Sequence, residues 1–227
     1  VTHTTGQFSL NGGAVKNLPG GVWEVQHAAA AAVLSGFGPG FGVLDNHGAF
    51  LKTTNASNAT TPAVSFDNRA EGRIEVRAGT LSLSGGGRNE GGALHAEPGA
   101  VLNFVAGGTH VLAGNFTGSG GGKIRMTGGR AIVGSAGATF DFDPGVFEWA
   151  GGVLTGFAPL LNDGSILVNG VVTIDDGALT NRGVITQIGT AFTSNIQMTR
   201  GGITGGIPTG INVAFNNLVG ALYDMQM

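Results

Sequence analysis

Short runs of alternating apolar and polar residues recur along the chain, each opened by a glycine: Gly79-Thr80-Leu81-Ser82-Leu83, Gly99-Ala100-Val101-Leu102-Asn103-Phe104 and Gly137-Ala138-Thr139-Phe140-Asp141-Phe142. A period of two is the mark of a strand with one buried face. It puts Leu81 with Leu83, Ile124 with Met126, Phe140 with Phe142 and Val172 with Ile174 on an inner face. Ser82, Arg125, Asp141 and Thr173 then point outward. Repetition of strand, glycine corner and strand predicts an all-β fold, a single parallel β-helix (β-solenoid) over residues 1–227 built by stacking equivalent rungs.

Five segments share an apolar-x-Asn step, a glycine shortly after it, and a large apolar residue two beyond that glycine. They are Leu44-Asp45-Asn46 with Gly48 and Phe50, Phe66-Asp67-Asn68 with Gly72 and Ile74, Leu160-Leu161-Asn162 with Gly164 and Ile166, Leu179-Thr180-Asn181 with Gly183 and Ile185, and Phe215-Asn216-Asn217 with Gly220 and Leu222. Asn and Gly tolerate the left-handed backbone of a corner, and stacked Asn side chains can hydrogen-bond from rung to rung. Asn46, Asn68, Asn162, Asn181 and Asn217 are therefore the expected structural ladder. Spacings of 22 from Asn46 to Asn68 and 19 from Asn162 to Asn181 fit coils of about 20 residues, hence about ten coils and a rod about 50 Å long at roughly 4.8 Å per rung. A second unit, 147–156, returns as 196–205 with its Gly-Gly pair and closing Thr-Gly in place.

Two stretches depart from the pattern. His27 and the alanine run behind it favour helix, which predicts a short Ala-rich helix near residues 27–34, stopped by Gly36, Gly38, Pro39 and Gly40. The polar stretch 52–62 reads as a loop leaving the coil. At the far end, 215–225 has the pattern of an interior rung, so the expectation there is either more solenoid or a docked copy.

Composition narrows the function classes. Glycine is 44 of 227 residues, yet 41% of the chain is hydrophobic, with 13 Phe; a disordered linker lacks such apolar content, so a packed core is expected. A net charge of −3 without a basic stripe argues against nucleic acid, and the apolar run near 28–34 is too short to span a bilayer. With no cysteine there is neither a disulfide framework nor a thiolate metal site, which suits a secreted chain that crosses an envelope unfolded.

Chemistry-bearing motifs are sparse, and no catalytic, cofactor-binding or metal-binding residue is assigned. Asp141 with Asp143 precedes Pro144-Gly145, and Asp175-Asp176 precedes Gly177, so both pairs read as turn residues; their alternative reading is the acid-base carboxylates of a polysaccharide lyase or hydrolase. The polygalacturonase-type set of Asn-Thr-Asp, Asp-Asp, Gly-His-Gly and Arg-Ile-Lys is not met beyond Asp175-Asp176. His3, His27, His47, His95 and His110 lack metal-ligand spacing and are expected at exposed or corner positions. Gly85-Gly86-Gly87 and Gly120-Gly121-Gly122 lead into Arg88 and Lys123, which fits neither a calcium repeat nor a phosphate cradle. Trp149 follows Phe147 by two and is expected in the core, as is Trp23.

The run from Phe147-x-Trp149-x-Gly151-Gly152-x-Leu154-Thr155-Gly156 to Asn162-Asp163-Gly164-Ser165-Ile166, with Gly79-Thr80-Leu81-Ser82-Leu83-Ser84-Gly85-Gly86 before it, resembles the repeats of large secreted bacterial surface proteins of the filamentous-haemagglutinin-like adhesin and autotransporter-passenger type. The resemblance implies a parallel β-helix, an extracellular or cell-surface location, and a structural or adhesive role without catalysis. Expected partners are neighbouring solenoid repeats or further copies stacking end to end, and a glycan or cell-surface ligand.

Overall fold

The computed structural model describes residues 1–27, 31–37, 42–54, 59–61, 64–105, 107–189, 195–199 and 214–226. Among them the regular structure is strand alone, wound as a parallel β-solenoid of about eight turns, or about 40 Å of rod, somewhat shorter than the ten coils expected. Each turn has three faces. Face A carries Ala14–Asn17, Gly42–Asn46, Val64–Asn68 and Gly87–Asn89; face B carries Val22–Val25, Ala49–Lys52, Arg73–Val76 and Gly92–Ala96; face C carries Thr80–Leu83 and Val101–Phe104. Higher up, single strands bend round the corners without a break, so that Lys123–Phe142 visits all three faces in turn. Successive strands lie on different faces, and each pairs with the strand one turn later, which makes every such ladder parallel: Val64–Asn68 lies in register on Gly42–Asn46, and Arg73–Val76 on Ala49–Lys52.

The alternation read from the sequence sets the interior. On face C, Leu81, Leu102, Ile124 and Phe147 stack in one column and Leu83, Phe104, Met126 and Trp149 in the next, all buried. On face B the column Trp23, Phe50, Ile74, Leu94 is likewise closed. Both tryptophans are core residues, and the Trp149 indole Nε1–H donates to the Gly151 carbonyl at 3.1 Å. Burying a column of such side chains contributes about 1.5–3 kcal/mol per residue, and the gain grows with each coil added. Of the residues expected outside, Asp141 is exposed and Arg125 and Thr173 are half-buried, whereas Ser82 is covered.

Glycine serves close approach as much as turning. A Cβ at Gly85 would lie 2.0 Å from the Val64 carbonyl oxygen, and one at Gly170 2.0 Å from that of Ala150. The coil backbones touch there, and no side chain fits between them.

The expected helix at 27–34 does not form. Ala31–Ala32 is a strand on face C paired with Ala59–Thr60, and Leu34–Phe37 pairs with Phe8–Asn11; residues 28–30 lie outside the described set. A single helical turn or two is marginal even for alanine, while a rung is held by ladders above and below and buries Val33 and Leu34 completely. The stretch 52–62 also belongs partly to the coil. Lys52 ends an inner-facing column between Val25 and Val76 with 0% exposure, and its ammonium donates to the carbonyl and hydroxyl of Thr54 and to the Ala78 carbonyl. Burial holds its pKa below the usual lysine value.

Candidate functional site

The conspicuous polar features are asparagine ladders at two corners and a charged cluster beside one of them. At the corner between faces A and B, Asn17 Nδ2 donates to Asn46 Oδ1 at 2.8 Å, and Asn46 Nδ2 donates to Asn68 Oδ1 at 2.8 Å. At the corner between faces B and C, Asn162 donates to Asn181 and Asn181 to Asn217, both at 2.7 Å. Each amide also reaches a backbone carbonyl in the following coil: Ala49 for Asn17, Arg73 for Asn46, Gly91 for Asn68, Val184 for Asn162 and Leu222 for Asn181. Asn17, Asn46, Asn68, Asn162 and Asn181 are buried, while Asn217 is exposed.

The five asparagines singled out in the sequence thus form two separate ladders on different corners. Asn17 belongs to the first and was missed, although Val15-Lys16-Asn17 followed by Gly21 and Trp23 carries much the same signal. Asn89 continues the register above Asn68 with 2% exposure. The second ladder begins abruptly: Phe140 occupies the position over Asn162, and Asn162 Oδ1 has no donor among the described residues.

Outside the first ladder lies the charged cluster. Asp45 stacks on Asp67 across the A-face register, and like charges in that geometry repel. Arg69 relieves this, with Nε 2.6 Å from Asp45, Nη2 3.6 Å from Asp67 and Nη1 2.8 Å from Glu90. His47 bridges two carboxylates, Nε2 at 3.2 Å from Asp45 and Nδ1 at 2.6 Å from Glu71. Burial works to raise the Asp45 carboxyl, but the hydrogen bonds from Arg69 and His47 overcome it and hold the pKa below the usual carboxylate value. The Glu71 contact raises His47 above 6.5, burial opposes it, and Asp45 adds to the rise. A shallow polar groove of about 330 Å³ runs alongside, lined by His47, Glu71, Arg73, Pro19 and Val22. Such a groove presents both signs of charge to a polar ligand.

The acidic residues weighed for acid-base chemistry are dispersed. Asp141 is exposed on face B, and Asp143 opens a turn closed by the hydrogen bond from Val146 N to its carbonyl. Asp176 stands at a corner with φ of 47°, the only non-glycine residue with positive φ among those described. His110, inside the strand Thr109–Ser119 on face A, contradicts the expectation of exposed or corner positions, whereas His27 is buried but lies beyond the end of Val22–Val25, at a corner. His27 is 5% and His110 1% exposed, His27 packing edge-on against His3 with ring centroids 4.5 Å apart. On face C a buried Glu148 accepts from Arg125 Nη2 at 2.8 Å and Asn169 Nδ2 at 3.1 Å. Partners a full coil apart leave no local motif, so neither these contacts nor the His47–Glu71 contact was visible in the sequence.

No protein-family model matches the chain, and neither a curated protein nor a solved structure matches it.

Proposed function

We propose that the chain is a noncatalytic extracellular rod that spaces, displays or adheres. The observation that carries this reading is the coil-to-coil continuity of its interactions: apolar columns inside, asparagine ladders at the corners, and ion pairs such as Arg69–Asp45 and Arg125–Glu148 outside tie one coil to the next along the axis. A protein built this way resists bending and separation of its coils, which is what a spacer requires. Its outer surface of small polar side chains, with the groove at His47, Glu71 and Arg73, is the face offered to a glycan or cell-surface ligand. The coil formed by Ala214–Asn217 and Leu222–Gln226 exposes Leu218, Leu222 and Met225, and a neighbouring solenoid repeat or a further copy stacks there in the same register as the internal rungs.

Sedimentation velocity across a concentration series, with electron microscopy of the same samples, tests the stacking. Rods lengthening with concentration are the expected result, and a single species of constant length at the highest concentration refutes end-to-end assembly. Binding to a glycan array, with Arg73→Ala and Glu71→Gln as controls, tests the adhesive role. Signal unaffected by either variant removes the groove from it.

A further inference from the structure

The corner that carries the first asparagine of the rod returns at the last. Residues 14–26 align without a gap on 214–226: Ala14, Asn17, Leu18, Gly20 and Gln26 recur as Ala214, Asn217, Leu218, Gly220 and Gln226, with Trp23 answered by Tyr223 and Glu24 by Asp224. The two corners bend alike. Gly21 N donates to the Leu18 carbonyl at 2.7 Å and Ala221 N to that of Leu218 at 3.0 Å, with φ of 78° at Gly20 and 88° at Gly220. They differ in place, for Ala14–Asn17 runs along face A and Ala214–Asn217 along face B.

The side-chain ladders also have one direction, each Nδ2 donating to the Oδ1 of the coil that follows. At the lower end Asn17 Oδ1 has no donor among the described residues. At the upper end Asn217 Nδ2 has only the Ala221 carbonyl of its own turn, at 3.4 Å. A free acceptor at one end and a weakly used donor at the other, on the same corner motif, suit a head-to-tail contact. The inner residues match too: Val15 below and Phe215 and Tyr223 above are only partly buried against the core, and stacking sets Val15 on Phe215 and Trp23 on Tyr223.

Resting on the end-to-end assembly proposed above, we infer that the stacking partner is a second copy of this chain, which seats its Ala14–Asn17 on Ala214–Asn217 in register and is therefore rotated by one face about the axis. Asn217 Nδ2 then donates to Asn17 Oδ1 of the next copy. Inside the rod, Asn181 also reaches the Leu222 carbonyl, five residues past Asn217; the equivalent acceptor for Asn217 is the Val22 carbonyl of the next copy. In a single chain that carbonyl accepts from the Val1 ammonium at 2.7 Å, and Thr2–His3 pairs with Glu24 and Val25. This two-residue strand is a placeholder on the edge that Leu222–Gln226 of the preceding copy takes over.

Because the chain lacks cysteine, two introduced thiols report the register. Ala14 and Ala214 stand at opposite ends of one rod, but between stacked copies they lie one strand spacing apart, about 4.8 Å, within the Cα range of a disulfide. Oxidised Ala14→Cys/Ala214→Cys is expected to give a ladder of linear multimers on a non-reducing gel, and each single variant dimers at most. Sedimentation of the whole chain runs in parallel. Asn217→Asp keeps the acceptor for Asn181 but sets a carboxylate against Asn17 Oδ1, so the concentration at which rods lengthen should rise about tenfold or more. Deleting residues 1–6 should lower it, and an unchanged value overturns the placeholder. Rods that lengthen without the disulfide ladder, or that ignore Asn217→Asp, overturn this register and leave stacking standing; a chain that stays a single species overturns both.

Discussion

Replacing Asn46 by alanine probes what the ladders contribute. The Asn46 side chain is fully buried; it accepts from Asn17 Nδ2 at 2.8 Å and donates to Asn68 Oδ1 at 2.8 Å and to the Arg73 carbonyl at 3.3 Å. Truncation removes all three bonds and strands Asn68 Oδ1, while Asn17 keeps its bond to the Ala49 carbonyl. Leaving a buried polar partner unsatisfied costs about 1–3 kcal/mol, and the small cavity left behind adds about 1 kcal/mol. The expected loss is therefore about 2–4 kcal/mol. Asn217→Ala is the control: its side chain is exposed, and it accepts from Asn181 at 2.7 Å and donates to Ala221 at 3.4 Å, so about 0.5–1.5 kcal/mol is expected. Urea unfolding followed by circular dichroism gives the two values. Because a solenoid loses stability through nearest-neighbour interfaces, amide exchange should accelerate in strands Gly42–Asn46, Val64–Asn68 and Arg73–Val76 while Ser165–Asp175 stays protected. An Asn46→Ala loss below about 0.5 kcal/mol, or exchange that rises equally along the rod, would refute the idea that the ladder locks adjacent coils.

Three further outcomes are expected. Burial drives the His110 pKa from 6.5 to about 4, so the unfolded chain binds the proton that the fold refuses; stability falls as pH drops through that window, by about 3 kcal/mol at 1.36 kcal/mol per unit, and His110→Phe flattens the wild-type slope between pH 6.5 and 4. His47 behaves oppositely: its folded pKa lies above 6.5, so its bridge is complete below that value and weakens as pH rises through the folded one, and an NMR titration should show a midpoint that Glu71→Gln moves down. Gly170→Ala forces a methyl within 2.0 Å of the Ala150 oxygen and should cost about 1–3 kcal/mol or more, whereas Gly13→Ala, with nothing within 4 Å, should be near neutral in the same melting experiment.

How far the sequence exposed this architecture varies with the range of the interaction. Alternation along a strand is local, so the inner columns at Leu81, Ile124 and Phe140 were legible directly. Corner chemistry is local as well, which is why the Asn-Gly units stood out. The helix expected at 27–34 failed because alanine propensity is weak beside the ladders on either side of a rung, and those ladders join residues more than 20 positions apart. The same distance hid the His47–Glu71 contact and the Glu148 contacts, in which neither partner taken alone forms part of a local motif. His110 is the sharper case. Its position two before Leu112 in an alternating strand already placed it on the inner face, but the small residues above and below it, Gly87 and Ala131, become its neighbours only when the coils are stacked.

The imperfect repeat has a physical explanation in the way corners are reused. Asn46 and Asn68 close face A, whereas Asn162, Asn181 and Asn217 close face B. Likewise 147–149 lies on face C, but its sequence counterpart near 196–198 lies on face A, paired with 172–174. The recurring unit is therefore a corner with its two flanking half-strands, and it fits wherever the ribbon bends through a similar angle. A module of this kind leaves the coil length free to vary while keeping the strand register fixed, since register is set by the inward apolar columns and the asparagine contacts. Insertions between corners then displace the repeat along the sequence without disturbing the ladder above or below. A rod assembled under that rule keeps one uninterrupted core although no two of its coils need share a sequence.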